Sequence, residues 1–439
     1  MSTEESRTVL VEEESGDAWR LINRSGFDSR TGIYSSFPHP HVAESKPALI
    51  DSATNQKLTY AQLYRSIRSL AGGLYGLGVR KGDVVFLLSP NSLLYPTISR
   101  DFSSGRATQI RTNLGAYNCH ISSIENNDSI SIEELIECGD RDELPEIKIK
   151  QSNKAAILYS SGTTGTNKGV VLTYSNLIAT ARFVRWYAEG TSSMNDIFLG
   201  FIPIFHIYGL GFFGFGLFCC GITTVLMQRF DFQEMVKAIE VHKVNNITAV
   251  PPVVLGLVKY CKGNSRLSTV RRIGSGAAPL SKELTEAFRA QFPWVELRQG
   301  YGLTESCGAA TAFVLDGAKA HPGLALPPYK EGELWLKGPS IMKGYFRNEE
   351  ATNATLGKDG WLKTGDLGYF DENGFLYIVD RIKELINHNG YQAAPAELEA
   401  VLLSHPNILD AAVIPVEDED SGQIPMAYVV KASASFSTQ

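Results

Sequence analysis

The apolar positions of this chain fall into short runs separated by polar, glycine-bearing stretches, and the spacing inside each run identifies its element. Residues 49–51 and 57–59 read as a short hairpin. Thr59 is a good N-cap, and behind it Leu63, Ile67, Leu70 and Leu74 recur at helical spacing until the Gly76/Gly78 region. Residues 84–88 follow as a buried strand, which starts a β/α alternation and predicts a parallel sheet. Further strands are predicted over 155–159, 198–203, 247–250, 270–273 and 295–298. Helices are predicted between them over 176–187, around Met235, Val236 and Ile239, and over 282–292. Residues 332–345 and 361–379 read as strands and turns. Pro395 then opens a helix carrying Leu398, Val401 and Leu402, and two strands, 411–416 and 426–431, follow it. In such sheets ligands bind beyond the carboxyl ends of the strands. The turns at 274–279 and 299–305 sit there.

Two stretches depart from the alternation. Residues 99–128 are rich in Ser, Asn and Arg and show neither helical nor strand periodicity. Residues 197–228 carry no formal charge apart from a possible one on His206, so hydropathy alone would flag a membrane span. Pro203, His206 and the spacing of Gly209, Gly211, Gly214, Gly216 and Gly221 argue instead for a buried strand, a turn and a tightly packed helix.

With 439 residues and 44% hydrophobic content, the chain can build two or more domains with substantial cores. Lys and Arg number 41 against 47 Asp and Glu, a net charge of −6, and there is no long basic run. Nucleic acid and anionic membranes are therefore not the expected partners. The six cysteines form no CxxC pair or regular framework, which fits free thiols in a reducing compartment. The acidic N-terminus lacks a secretion pattern, and Ser437-Thr438-Gln439 is not a Ser-Lys-Leu tripeptide, so the expectation is a cytoplasmic location.

The chemistry concentrates in residues 158–176, LYSSGTTGTNKGVVLTYSN. A strand delivers a loop of hydroxyls and glycines and then Lys168. Gly162, Gly165 and Gly169 let the backbone approach a ligand closely, while Ser160, Ser161, Thr163, Thr164 and Thr166 can donate to phosphate oxygens. It is not a Walker loop, because Lys168 is followed by Gly169 rather than Ser or Thr.

SSGTTGTNKGV resembles the phosphate loop of adenylate-forming enzymes, the superfamily of acyl-CoA synthetases, luciferases and peptide-synthetase adenylation domains. FHIYG, GSGAAP, QGYGLTE, KTGD and DRIK follow in the family's order and narrow the resemblance to plant 4-coumarate CoA ligase-like proteins. The implied fold is α/β, with a large N-terminal domain of stacked α/β subdomains and a small β-subdomain over residues 1–380. An incomplete small α+β C-terminal domain would occupy 381–439. The implied activity is ATP-dependent ligation of a carboxylic acid to coenzyme A through an acyl-adenylate, with Mg²⁺.

The resemblance also implies roles. Lys168 and the loop hydroxyls would hold the β- and γ-phosphates, Thr304 would donate to the α-phosphate, and Glu305 would hold Mg²⁺. Gln299, Gly300 and Tyr301 would line the nucleotide site, Asp366 would take the ribose hydroxyls, and Arg381 would contact ribose and phosphate across the hinge. His206 would orient the substrate carboxylate. Tyr208, Gly276, Ala277 and Ala278 would shape the acyl pocket, Lys383 and Gln392 would meet the substrate, and Arg229 and Gly390 would serve coenzyme A. Taken singly, Glu305 or Asp366 reads more readily as a solvated loop carboxylate and His206 more readily as a hydrogen-bonded core residue, and the small residues fit ordinary close packing.

Three departures from the family pattern stand beside these implications. Residues 99–128 look like a graft, or translation in another frame, that replaces a larger excised piece, so the first sheet is expected to lose a covering helix and at least one strand. After His321-Pro322-Gly323 part of the β-subdomain is expected to be missing. Asn387 and Asn389 stand where relatives use lysine, and the family's C-terminal lysine has no counterpart. The alternative expectation is therefore an impaired splice or truncation product that binds only nucleotide or a partner.

Overall fold

The computed structural model describes residues 8–12, 45–99, 108–112, 119–123, 129–139, 150–160, 167–189, 195–261, 263, 265–308, 311–312, 330–372, 375–388, 391–403, 405, 407–418 and 421–431. The central sheet runs in the order Thr311–Ala312, Glu296–Tyr301, Arg272–Ser275, Asn246–Ala249, Ile197–Gly200, Thr223–Leu226, Pro47–Asp51, Lys57–Thr59. Its inner strands are parallel, as the β/α alternation predicts, and its outermost strands pair antiparallel. Ile197–Gly200 lies between Thr223–Leu226 and Asn246–Ala249, so strand order reverses there and leaves a crevice at the carboxyl ends. Helices Tyr174–Glu189, Phe232–His242, Pro251–Tyr260 and Lys282–Gln291 close on this sheet through Val184, Met235, Val254 and Phe288, all buried.

Local signals place the elements. Thr59 and Gln62 form a capping box at the start of Tyr60–Gly76, and the predicted apolar positions Leu63, Ile67, Leu70 and Leu74 are all buried. The apolar run 197–228 folds as the strand Ile197–Gly200, a short helix Ile207–Gly209, a π-helical stretch Leu210–Gly216 and the strand Thr223–Leu226. No helix among the described residues is long and apolar enough to cross a membrane. The glycines are there for close approach: a Cβ on Gly209 would press into the carbonyl of Pro203, and one on Gly216 would stand 2.7 Å from the Val184 side chain. Gly209→Ala should cost about 1–3 kcal/mol as an overpacked site, read as a lower urea midpoint.

Residues 99–128 differ from expectation. Thr108–Thr112 and Cys119–Ser123 are strands, the first parallel to Val85–Leu88 and the second antiparallel to both Thr108–Thr112 and Ser129–Ser131. The register aligns Leu87, Ile110, Ile121 and Ile130 across the four strands. A single isoleucine per short strand is too sparse to show as a periodicity, whereas backbone ladder bonds form whatever the side chains are.

Two further units close the crevice. Lys154–Ser160 and Lys168–Thr173 make an antiparallel hairpin extended by Gly344–Tyr345. Thr8–Glu12, Gly332–Lys337, Leu362–Phe370 and Leu376–Arg381 form a four-stranded sheet. After Arg381 the chain builds a small α+β unit from Ile386–His388, Tyr391–Ala393, the helix Pro395–Leu403 and the hairpin Ile408–Asp418/Gly422–Lys431. The buried Asp380 carboxylate accepts from the Arg381 amide at 2.7 Å and the Ala396 amide at 3.1 Å, tying the junction to the start of that helix.

Candidate active site

A cavity of about 630 Å³ opens at the carboxyl ends of the central strands, between the hairpin and the Leu362–Phe370 strand. It gathers Ser160, Lys168, His206, Tyr208, Gly276, Ala277, Gln299, Gly300, Tyr301, Thr304, Glu305, Arg381 and Lys383 of the residues expected from sequence. Ser161, Gly162, Thr163, Thr164, Gly165 and Gly390 lie outside the described residues. Ala278, Arg229 and Gln392 are exposed and do not line the cavity. For Ala278 the cause is local: Ala277 turns the chain through φ +69, and the residue after it leaves the cavity wall.

One end of the cavity suits phosphate. Ser160 and Lys168 stand opposite each other in the hairpin register, so both flank the loop they enclose. Among the described residues the buried Ser160 hydroxyl has no hydrogen-bond partner, which fits a donor awaiting an acceptor oxygen. Lys168 Nζ lies 5.2 Å from the centre of the Tyr345 ring, and the Tyr345 hydroxyl donates to Glu305 Oε1 at 3.0 Å. Burial, reinforced by the Glu305 charge, holds the Tyr345 hydroxyl well above the usual phenol range, so it remains a donor. The turn carrying Thr304 and Glu305 is fixed from behind. Ser306 Oγ accepts from the Leu303 amide at 2.9 Å, the Met342 amide donates to the Glu305 carbonyl at 2.8 Å, and Thr180 donates to the Cys307 carbonyl at 2.8 Å. Burial pushes the Cys307 thiol up to about 12, which removes it as a nucleophile.

A second wall suits a ribose. Asp366 is 4% exposed and lies just behind the cavity surface. It accepts from the Tyr301 hydroxyl at 2.5 Å and pairs with Arg381 Nε at 3.7 Å. Thr364 Oγ1 accepts from the Asp366 amide at 3.0 Å and donates to the Leu334 carbonyl at 2.7 Å, while Gly365 takes φ +74 in the bend. Burial raises the Asp366 carboxyl above the usual range, although Tyr301 and Arg381 pull it down. A carboxyl raised in the folded state gives stability that falls as pH rises from the unfolded value through the folded one. Asp366→Asn should therefore melt higher than the native chain at pH 7, with the gap closing below the ordinary Asp range. A melting series against pH checks this.

The deep end is apolar. Phe183 and Tyr187, one helical turn apart, line it together with Phe212; the Tyr187 and Phe212 rings lie 5.9 Å apart and those of Tyr208 and Phe212 5.5 Å apart, both edge-on. Gly276 leaves this slot open, since a Cβ there would stand 3.5 Å from the Tyr208 ring and 3.2 Å from the Gly300 carbonyl. His206 is not a core residue. It caps the Ile207–Gly209 turn, Nδ1 accepting from the Tyr208 amide at 3.2 Å, which leaves Nε2 as the protonated nitrogen of the neutral ring. Although the residue is exposed to the cavity, its apolar surroundings lower its pKa, because the charged ring would lose hydration there. Sequence reasoning missed Tyr345, Phe183, Tyr187, Phe212 and Arg298. The one available signal was Arg298 itself, a charge ending an apolar strand immediately before the Gln299–Glu305 turn.

Fold and cavity together define an α/β enzyme scaffold in which a phosphate-type hairpin and an apolar slot share one pocket. Residues 39–99 and 105–346 match the AMP-binding enzyme family and residues 397–438 match the AMP-binding enzyme C-terminal domain, so the chain belongs to that family. The chain is 41% identical to a peroxisomal OPC-8:0-CoA ligase of Arabidopsis thaliana, over 88% of this chain and 82% of that protein. It is 38% identical to a probable CoA ligase of Humulus lupulus, over 98% and 91%. That second alignment is 505 positions long against 439 residues here, so the Humulus protein carries segments that this chain lacks. In three dimensions the chain resembles o-succinylbenzoate CoA synthetase of Bacillus subtilis bound to its acyl-adenylate intermediate, with a TM-score of 0.73, 29% identity and coverage of 92% and 88%. The same synthetase is also known with ATP and a magnesium ion.

Proposed function

We propose that this chain is an ATP-dependent carboxylate–CoA ligase, with residues 1–380 forming the adenylating domain and the residues after Asp380 the mobile one. The carrying observation is the single cavity that joins the Ser160/Lys168 hairpin to the Phe183–Tyr187–Phe212 slot. A carboxylic acid with its tail in the slot presents its carboxylate near His206, beside the place where a triphosphate meets the hairpin. The carboxylate oxygen attacks the α-phosphorus, the bond to the β-phosphate oxygen breaks, and pyrophosphate leaves. Lys168, Ser160 and Thr304 oppose the charge gathering on the phosphates, and His206 orients the acid through Nε2–H. Asp366 and Arg381 anchor the nucleoside half. In the second reaction the thiolate of coenzyme A attacks the acyl carbon and AMP departs.

The donor set fits Mg²⁺ in one way. Among the described residues no cluster of three metal-ligating side chains exists. Glu305, beside Thr304 and Tyr345, faces the phosphate end, which suits a hard cation held by one carboxylate and phosphate oxygens. Bound there, Mg²⁺ would neutralise phosphate charge. The compartment we propose is the cytoplasm, supported by free thiols at Cys138, Cys219, Cys220, Cys261 and Cys307.

The test is acid-dependent pyrophosphate release and thioester formation by the purified chain with ATP, Mg²⁺, coenzyme A and a panel of aryl and alkyl acids. Release of both products with one acid supports the reading, and no release with any acid from a monodisperse protein rejects it. A second reading, adenylation without efficient thioester formation, is favoured by Asn387, an uncharged residue on the Ile386–His388 strand where the resemblance implies lysine. Pyrophosphate without thioester would select it.

A further inference from the structure

The strand Gly332–Lys337 carries a carboxylate to which the adenylation chemistry gives no task. Glu333 lines the cavity together with Thr364 and Gly365. It pairs with Leu367 on the neighbouring strand, and the next pair along is Trp335 with Lys363. Between those pairs Leu334 alone stands opposite Thr364, Gly365 and Asp366. Such a bulge releases a strand from its ladder and re-aims the side chains it carries. Asp366 belongs to the bulge, so whatever holds the bulge in shape decides where the ribose carboxylate is directed.

The Gly365 amide, held off the ladder, needs an acceptor of its own. It donates to Glu333 Oε1 at 3.2 Å, and the Gly365 carbonyl accepts from the Ile382 amide at 2.9 Å, one residue beyond Arg381. The other oxygen of Glu333 accepts from Trp335 Nε1 at 2.8 Å, which fixes the orientation of the carboxylate. A connected path thus runs from Trp335 through Glu333 and Gly365 to Asp366, which meets Tyr301 and Arg381 at its far end. The phosphate end is built separately, on the Lys154–Ser160/Lys168–Thr173 hairpin.

We propose that Glu333 is a positioning residue for the ribose: by holding the Gly365 amide it keeps the Asp366 carboxylate directed at the hydroxyls of a bound nucleotide. This rests on the ligase reading for the place of the nucleotide. Without the Glu333 oxygen the Gly365 amide turns to another acceptor, the bend shifts, and the bond from ribose to Asp366 loses its geometry. What is lost is discrimination between ribose and deoxyribose, and the grip on phosphate stays.

The experiment is calorimetric titration of the full chain with AMP, with its 2′-deoxy and 3′-deoxy analogues, and with inorganic pyrophosphate. Acid-dependent pyrophosphate release from ATP is followed in parallel. The native chain should bind AMP about 10–100-fold more tightly than at least one analogue, the usual worth of a hydrogen bond to a charged group. Glu333→Leu should lower that ratio about tenfold, because a hydrogen bond out of line loses most of its strength, and should leave pyrophosphate binding as it was. Asp366→Asn should lower the ratio as far, and the double variant no further, since both act through one carboxylate. Trp335→Phe removes the other donor to Glu333 and keeps the Gly365 bond, so its ratio should stay close to native. Glu333→Gln keeps the size of the side chain but offers one acceptor oxygen to two donors. It should give an intermediate ratio, and it repeats the test should the leucine variant not fold. The proposal is overturned by a native ratio in either Glu333 variant, by equal weakening of all three nucleotides, by a further fall in the double variant, by the same fall in Trp335→Phe as in Glu333→Leu, or by no binding of AMP to the native chain. A ratio that falls in the variants without pyrophosphate release from the native chain with any acid would reject the ligase reading while keeping the role of Glu333. Pyrophosphate release with a native ratio in the variants would do the reverse.

Discussion

Lys168→Ala lowers acid-dependent pyrophosphate release by about 10²–10³-fold, the usual cost of deleting a donor that meets charge developing in a transition state. The lysine is half-buried at the mouth of the hairpin, with its strand bonded to Lys154–Ser160 on one side and Gly344–Tyr345 on the other. Its backbone place therefore survives truncation. Its ammonium forms no ion pair with a carboxylate among the described residues, and it stands 5.2 Å from the centre of the Tyr345 ring. Removing it leaves no buried charge behind, so the melting temperature should hold while activity falls. The loss should appear in kcat more than in the KM for ATP, because negative charge gathers on the departing pyrophosphate as the bond breaks. Lys168→Arg should recover part of the rate, since charge is kept but the compact ammonium is not. A variant within about threefold of native turnover would remove Lys168 from the chemistry.

How far the sequence reaches depends on the kind of signal each element leaves. The Tyr60–Gly76 helix was legible because its cap and its four core leucine and isoleucine positions obey one period. The hairpin was legible because its residue types are chemically unusual together. Thr108–Thr112 and Cys119–Ser123 were not, because their pairing is carried by backbone bonds with a single aligned isoleucine in each. From sequence the π-helical stretch reads only as a packed helix: glycine spacing announces close approach but not which carbonyl each amide will choose. For the site, motifs named the polar residues, yet Tyr345 reaches Glu305 across 40 positions and Tyr187 reaches Phe212 through tertiary packing alone. His206 shows the same limit in reverse. The apolar run around it suggests burial, and it is the turn at Ile207 that brings its ring to the cavity.

Glu305→Gln is expected to cost about 10²-fold in turnover and to move Mg²⁺ saturation to higher concentration at fixed ATP, as the charge of a metal-holding carboxylate is lost. The substitution keeps an oxygen for the Tyr345 hydroxyl, and the Met342 amide still meets the backbone carbonyl of residue 305, so the turn remains in place. What changes is one negative charge at the phosphate end. Because no cluster of three metal-ligating side chains exists among the described residues, the free chain should show no stabilisation by millimolar Mg²⁺ without ATP, and a clear one with both. Tyr345→Phe separates the two tasks of the pair. It deletes the 3.0 Å hydrogen bond but keeps the carboxylate, so it should change turnover far less than Glu305→Gln and leave the Mg²⁺ dependence where it was. Should Glu305→Gln instead reproduce Tyr345→Phe in both respects, the carboxylate would be an anchor for the tyrosine, and the metal would depend on the triphosphate alone.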